Sequence, residues 1–437
     1  MSVNRKFFEN VLPAMVAFAF SGVYAIVDGL FVGRSIGDMG LAAMSVAYPI
    51  TALIQAAGTG IGMGGAIRIA ISAGRGDEKR GREYLGSTVL LLIFACLFVT
   101  LCLWFGCGPL LALFGAGGEI FRLSKQYADV IILGAVFQIM STGLVPIIRN
   151  YDGALLAMTA MITGFVTNVI LDYLFVMVCG YGMTGAALAT LIGQAATMII
   201  CLLYLLIKEK LLTYGLFGLS VHTLKKIGIV AFSPFGLTLS PNLVVIVLNK
   251  GAFLYGGDKA VACYAVVNYV ICVVQLLLQG VGDGCQPLLS FYSGAGKSKE
   301  VKQIRRLAVL FAEAVACGSI FLIYVFRRKF AVLFGVSSDV GETASKVLLI
   351  FAAGLVFAAF LRVTTSYFYA VKENILAYIL IYGEPALLSL LAIFILPKLL
   401  GLNGIWLAMP VTQGVLTVVG IVLLYLGGGR RRSRSAG

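Results

Sequence analysis

Charge is scarce in this chain, and side chains suited to catalysis are scarcer still. Asp, Glu, Lys and Arg make up 12% of its residues against 60% hydrophobic ones, and the mean hydropathy is +1.00. A soluble domain of 437 residues needs a charged surface that this composition does not supply. There is one histidine, His222, and no paired His/Glu motif, which argues against an enzyme working inside a membrane. The cysteines are Cys96, Cys102, Cys107, Cys179, Cys201, Cys263, Cys272, Cys285 and Cys317. They lack metal-ligand spacing and read as small apolar fillers, although Cys107 and Cys179, near outer helix ends, could pair. No catalytic residue, metal site or cofactor is expected. Long polar stretches are also missing, so no separate soluble domain is expected. The first apolar run, 7–32, is too long for a signal peptide and lacks a small-residue cleavage site. It reads as a first membrane segment.

What the chain has instead is apolar runs of about 20 residues, each long enough to cross a bilayer. They predict an all-α integral membrane protein with twelve transmembrane helices, at 8–32, 45–73, 86–108, 127–149, 153–178, 183–207, 227–249, 260–290, 304–326, 347–370, 374–396 and 403–427. An internal repeat at an offset of 220 residues divides the twelve into two sixes. GIGMGGAIRIAISAGRG at 60–76 answers GVGDGCQPLLSFYSGAG at 280–296, and the identities are all glycines: Gly60/Gly280, Gly62/Gly282, Gly64/Gly284, Gly74/Gly294 and Gly76/Gly296. Leu113, Phe114 and Gly115 answer Leu333, Phe334 and Gly335, and Val136 and Phe137 answer Val356 and Phe357. With a one-residue slip, 182–194 answers 401–413. Six is even, so both copies enter the membrane from the same side. They form two pseudo-symmetric six-helix bundles in parallel repeat, related by an axis along the membrane normal. The expected domains are a first lobe at 1–207, a linker at 208–226, a second lobe at 227–427 and a basic tail at 428–437.

The basic residues set the orientation. The formal net charge is +14, and most Lys and Arg fall on one set of alternate loops, including Arg75, Lys79, Arg80, Arg82, Lys208, Lys225, Lys226, Lys297, Lys299 and Arg305. By the positive-inside rule both termini are expected in the cytoplasm, with the chain a multi-pass protein of the cell (inner) membrane. Arg327, Arg328 and Lys329 run against the bias. The tail Arg430, Arg431, Arg432 and Arg434 is expected on anionic lipid headgroups. Nucleic acid is not an expected partner, since no folded module accompanies the tail.

Five acids fall inside the predicted helices: Asp28, Asp172, Asp283, Glu313 and Glu384. An Asp in hydrocarbon costs roughly 2.5–3.5 kcal/mol on insertion scales, so such residues should face a bundle interior or an aqueous cavity. Asp28 and Asp172 each lie roughly 30 Å along their segments at about 1.5 Å per residue, which puts them at one depth. Asn168 precedes Asp172 by one turn and shares its face. These three groups could share a proton, because two close carboxylates in a dry site cannot easily both ionise, or they could hold a small cation. The offset positions in the second copy are Asn249 and Leu391, so any ion coupling is expected to be asymmetric. Asp283 and Glu313 lie about 10 Å inside their segments. Arg362 and Glu384 share a depth of about 12–15 Å and could form a buried ion pair or take part in coupling. Arg68 is expected to snorkel to the interface. Pro13, matched by Pro234, is a candidate hinge in the helix that carries Asp28, since proline removes a backbone hydrogen bond. The glycine runs are expected to serve close helix packing.

Taken in order, these strings resemble a known family. YAIVDGLFVGRSIGDMGLAAMSVAYPI at 24–50, MGGAIRIAISAGRGDEKR at 63–80, NVILDYLFV at 168–176 and DGCQPLLSFYSGAGK at 283–297 are similar to signatures of the multidrug and toxic compound extrusion (MATE) transporters, closest to their MepA-like branch. The resemblance spans nearly the whole chain. It implies two six-helix bundles set as a V around a central cavity. It implies export of amphipathic or cationic compounds, driven by inward H⁺ or Na⁺. Asp28 matches the family's acid in the first helix, Asn168 and Asp172 match its pair in the fifth, and Pro13 matches a proline linked to bending. Asp283 falls near an acidic position of the eighth helix in that branch. Another branch binds Na⁺ through acids in the seventh and tenth helices. Here the seventh has none and the tenth presents Arg362, which favours the first-lobe site.

Two other transporter types fit a 6+6 helix count. A major facilitator would place an Asp three residues before Gly-Arg in the loop after its second helix, whereas Asp77 stands four before Gly81 and Arg82. A lipid-linked oligosaccharide flippase tends to carry a more basic cavity than five acids against two bases suggest. The expectation is therefore an alternating-access antiporter, monomeric, with amphipathic or cationic small molecules as substrates and lipids as surroundings. The coupling ion is H⁺ or Na⁺. Tyr24, Met140 and Met161 are named as candidate cavity-lining side chains.

Overall fold

The computed structural model describes residues 2–209, 220–333 and 338–434, and these are almost wholly helical. Residues 210–219 of the expected linker and 435–437 of the tail lie outside the described residues. The helices are α1 Val3–Ile36, α2 Asp38–Gly74, α3 Glu78–Leu113, α4 Gly118–Leu133, α5 Ala135–Asn150, α6 Ala154–Asp172, α7 Gly182–Ile207, α8 Val221–Gly294, α9 Ser298–Leu333, α10 Ser338–Ala370, α11 Asn374–Ser389, α12 Leu396–Leu400 and α13 Leu402–Arg434. Ser2 caps α1 by accepting from the Arg5 N–H, and Asp77 caps α3 by accepting from the Arg80 N–H at 3.1 Å. Each cap satisfies one orphan donor of a helix start.

Among the described residues, ten helices are long and apolar enough to span a membrane, and α4 with α5 makes an eleventh as a bent pair. α8 is twice the length of a span and leaves helical geometry at Gly257 (φ 62°, ψ −159°), which divides it into two and gives twelve spans. The chain is a multi-pass membrane protein. In hydrocarbon the backbone must satisfy its own polar groups, so continuous helix is the form these runs can take. Large apolar side chains such as Phe94, Phe98, Leu101 and Phe105 stand exposed on α3, as befits a helix bathed in lipid.

The expected fourth span, 127–149, is not one straight helix. α4 and α5 meet at 59°. Gly134 has left helical geometry (φ −94°, ψ 14°), and the side chain of Leu191 fills the space its Cβ would need. The fifth span changes winding as well. After Asp172 it continues as a π-helical stretch, Tyr173–Val178, and after Ser389 the chain does the same over Leu390–Ile395. Counted from these stretches, Ser389 rather than Leu391 stands where Asp172 stands in the first copy. Cys107 and Cys179, which could have paired, do not: both thiols are free.

The backbone repeats more faithfully than the side chains do. Gly37 (φ 78°, ψ −162°) between α1 and α2 has its counterpart in Gly257, 220 residues on. Gly76 and Gly296 share φ values of 72° and 71°. Among the described residues, Asp152 and Lys372, again 220 apart, are the non-glycine residues at positive φ, at 56° and 65°. At these positions a residue at positive φ separates one helix from the next.

By contacts the chain forms two compact units, Met1–Leu239 with Pro287–Val301, and Ser240–Gln286 with Lys302–Gly437. The start and the end of α8 thus group with the first unit. The reason is glycine. On α2, Gly60 and Gly64 seat the start of α8, where their Cβ atoms would stand 3.0 Å from the Ala231 oxygen and 2.9 Å from the Ala231 nitrogen. Gly58, Gly62 and Gly65 of α2 seat Ile139, Gly143 and Thr88 in the same way. In the second unit Gly282 of α8 lies against Ser366 of α10. Arg68 is fastened to backbone. It is half-buried and donates from Nε and Nη2 to the Lys226 carbonyl at 3.2 and 3.0 Å.

Asp152→Val is expected to lower stability by about 1–2 kcal/mol, because a β-branched residue resists left-handed backbone. Asp152→Gly should not lower it. Thermal unfolding of the detergent-solubilised protein measures both, and equal melting of Asp152→Val and the parent would contradict this turn.

Candidate functional site

α1 and α6 run side by side in the same direction. Three contacts at successive levels fix their register. Tyr24 of α1 stacks on Phe165 of α6 with ring centroids 5.4 Å apart at 13°. The Asp28 and Asp172 carboxyl groups face each other within interaction range. Ser35 donates to the Val176 carbonyl at 3.1 Å. That last bond also accounts for a carbonyl in the π-helical stretch, where the winding departs from α-helical bonding. The equal depth expected of Asp28 and Asp172 is what this parallel register delivers.

The two acids belong to a buried polar cluster. Asp28 is 4% exposed, Asn168 2% and Asp172 0%. Asn168 lies beside Asp172 but directs Nδ2 at the Thr190 hydroxyl of α7, 3.4 Å away. Tyr24 Oη comes within 3.5 Å of the same hydroxyl. Tyr127 of α4, itself buried, reaches Thr190 as well and stands near both carboxylates. Thr190 is therefore the hub that ties α1, α4 and α6 to α7. Its position depends on glycine one turn later. A Cβ on Gly193 would lie 2.6 Å from the Gly164 oxygen and 3.0 Å from Asn168 Cβ, so α6 and α7 can approach closely enough for Asn168 to meet Thr190.

The cluster is short of donors. Both carboxylate oxygens of Asp172, Oδ1 of Asp28 and Oδ1 of Asn168 are buried without a hydrogen bond of ordinary geometry. Buried acceptors left this way carry a desolvation penalty. One added proton would form an O–H···O bond between the two carboxyls. A small cation held by the same oxygens would serve equally.

Of the residues singled out by sequence, Asp28, Asn168, Asp172 and Tyr24 come together here. Pro13 lies in α1, which runs unbroken through it. Met140 lies elsewhere, in an apolar cleft of about 480 Å³ shared with Met198, Leu97 and Leu133. Met161 contacts Arg149 through its sulfur at 3.7 Å. Tyr127 and Thr190 were not among the sequence candidates, and nothing in their surroundings sets them apart from other membrane tyrosines and threonines.

The candidates of the second unit do not converge. Asp283 is buried and accepts from Tyr369 Oη at 3.2 Å, which in turn lies 2.9 Å from Ser366 Oγ. Glu313 is half-buried on α9. Arg362 and Glu384 do not form an ion pair, one of the two roles open to them. Arg362 reaches Gln275 Oε1 at 3.5 Å, and Glu384 accepts from Gln413 Nε2 at 3.5 Å. One faces α8 and the other faces α13, so their shared depth does not bring them together.

The chain matches the MatE family model over residues 13–174 and 231–384. The multidrug export protein MepA of Staphylococcus saprophyticus is 24% identical over 435 residues, covering 97% of this chain and 94% of its own. The probable multidrug resistance protein YoeA of Bacillus subtilis is 24% identical over 365 residues, covering 80% and 77%. Among solved structures, a MOP superfamily transporter from Pyrococcus furiosus superposes with a TM-score of 0.91 at 24% identity, covering 99% of this chain and 96% of its own. An outward-facing multidrug resistance MATE family transporter superposes with a TM-score of 0.89 at 23% identity, covering 99% and 97%. These structures share its fold.

Gly193→Ala is expected to destabilise the protein by about 1–3 kcal/mol, as overpacking does, and to separate Asn168 from Thr190. Thr190→Val removes the hydroxyl that Asn168 and Tyr24 approach and should also cost about 1–3 kcal/mol, because buried polar partners lose their bond. Melting temperatures of the two variants check this, and an unchanged melting temperature for Gly193→Ala would contradict the close approach of α6 and α7.

Proposed function

The chain belongs to the MatE family, and from that premise we propose that it is a multidrug efflux transporter, not an enzyme, which exchanges a cation, H⁺ or Na⁺, for amphipathic or cationic compounds. The observation that carries the coupling half of this reading is the donor-poor cluster of Asp28, Asp172 and Asn168 in a chain whose described membrane segments hold few other acids. The export half draws on relatives that are multidrug export and multidrug resistance proteins.

The chemistry follows from the cluster. Two facing carboxylates in a dry site repel each other and lack donors, so a cation from the side of higher concentration finds a favourable place between them. Binding there neutralises charge that a buried site holds at a cost. It also changes what α1 offers to α6 and α7, because Asp28 and Tyr24 sit on the same helix, one turn apart. Pro13, lower on α1, leaves one backbone hydrogen bond unmade and gives that helix a place to bend. A cation can shift the balance between two conformations only through such a difference in binding. Cation entry would thereby favour release of the drug, and loss of the cation would reset the cycle.

We take 1–207 and 227–427 as two lobes that rock between an inward-open and an outward-open arrangement, with both termini in the cytoplasm. The protein needs no cofactor, and the coupling ion is cargo. The second unit does not copy the first-unit cluster: Ser389 replaces Asp172 and Asn249 replaces Asp28. Coupling therefore belongs to the first lobe.

Proteoliposomes loaded with a fluorescent lipophilic cation test this. Exchange should run on an imposed pH gradient without Na⁺, or on a Na⁺ gradient at constant pH. Exchange that responds to neither would defeat cation coupling. Asp28→Asn and Asp172→Asn should each lower the exchange rate at least about tenfold, a barrier change of roughly 1.4 kcal/mol. Drug binding in detergent should persist. Full gradient-driven exchange by either variant would sink the assignment of the pair.

A further inference from the structure

The ends of α2 and α8 meet in a contact that the internal repeat itself prescribes. Gly74 lies against Phe291 and Ala295: a Cβ built on Gly74 would overlap the Phe291 carbonyl oxygen and stand 2.9 Å from the Ala295 nitrogen. Gly294 lies against Ile71: its Cβ would overlap the Ile71 carbonyl oxygen and stand 2.8 Å from Ile71 Cα. Positions 71 and 291 are partners at the offset of 220, and so are 74 and 294. Position 74 touches the counterpart of 71, and position 294 touches 71 itself. That reciprocity is what a two-fold axis produces, in which the same patch serves both sides. All of these residues belong to the first compact unit.

The surroundings are paired too. Just past the contact, Gly76 and Gly296 take φ values of 72° and 71°. The Asp77 N–H donates to the Ser72 carbonyl and the Lys297 N–H to the Tyr292 carbonyl, both at 3.0 Å. Each helix therefore ends in one and the same turn directly beyond the crossing. Arg75 and Lys297 stand exposed beside it. The start of α8 is fastened differently, since Arg68 adds its two hydrogen bonds to the Lys226 carbonyl there.

We propose that the Gly74–Gly294 crossing is the closing contact of the transport cycle: the two helix ends seat backbone on backbone in one state and part in the other. This rests on the alternating-access reading above. Backbone seated on backbone has no side chains interlocked across it, so it can part without repacking. It still closes fully, because nothing protrudes between the helices. An interface with two discrete arrangements is the usual element of such a switch. The Cβ of any other residue would stop the helices short of the seated arrangement.

Spin labels on Arg75→Cys and Lys297→Cys test it, with the exposed Cys102, Cys179, Cys272 and Cys317 replaced by Ser. Pulsed dipolar measurements in proteoliposomes should show a short and a longer distance whose proportions change between drug-loaded and cation-loaded conditions. Gly74→Ala and Gly294→Ala should each deplete the short distance and lower exchange at least about tenfold. Gly108→Ala, where a Cβ meets open space, should do neither. A single distance under every condition overturns the proposal, as does full exchange with an undiminished short distance in both alanine variants. If the protein exports no drug on any gradient, the transport reading fails. Two distances that Gly74→Ala suppresses would then still uphold the crossing as a moving contact.

Discussion

Where Gly62 of α2 faces Gly143 of α5, a Cβ on Gly62 would overlap the Gly143 carbonyl oxygen, and no side chain stands between the two backbones. The same arrangement holds Gly164 to Gly193 and Gly74 to Phe291. In water, helices associate because burying apolar surface is favourable. In hydrocarbon that drive is absent, since lipid is as apolar as leucine, and close packing with internal hydrogen bonding must replace it. Glycine admits the closest approach. The rest of the molecule is arranged around these seats.

The polar cluster depends on them directly. Asn168 meets Thr190 because Gly164 and Gly193 let α6 and α7 touch, and Leu191, next to Thr190, occupies the space at the Gly134 break between α4 and α5. The break lets α4 set its own angle and bring Tyr127 to the cluster. The outcome is a cluster in which the hydroxyls and Asn168 Nδ2 meet one another, while Oδ1 of Asn168, Oδ1 of Asp28 and both oxygens of Asp172 are left over. In a soluble protein such oxygens would draw in water or a basic side chain. Here they are the oxygens that the proposed coupling cation would meet.

The two copies of the chain agree in backbone and disagree in chemistry. Turn geometry recurs at Gly37 and Gly257, at Gly76 and Gly296, and at Asp152 and Lys372. The last pair shows that the fold demands the left-handed turn whatever residue supplies it. Both copies also carry a π-helical stretch after the fifth span. The residue ahead of that stretch is Asp172 in one copy and Ser389 in the other. Duplication thus conserved the joints while one copy alone carries the facing acids.

The sequence by itself determined the twelve apolar spans, the offset of 220, and the shared depth of Asp28 and Asp172, because hydropathy and rise per residue are local properties. The turn glycines Gly37 and Gly257 were within its reach through the same offset. Only the tertiary structure decided which side chains meet. Depth placed Arg362 level with Glu384, but helix rotation turned them to Gln275 and Gln413. Tyr127 and Thr190 joined the acids through the bend at Gly134 and the close approach of α6 and α7, and no spacing along the chain records either. A span's length is written in its residues, whereas the azimuth of one helix against the next is set by where two backbones can touch.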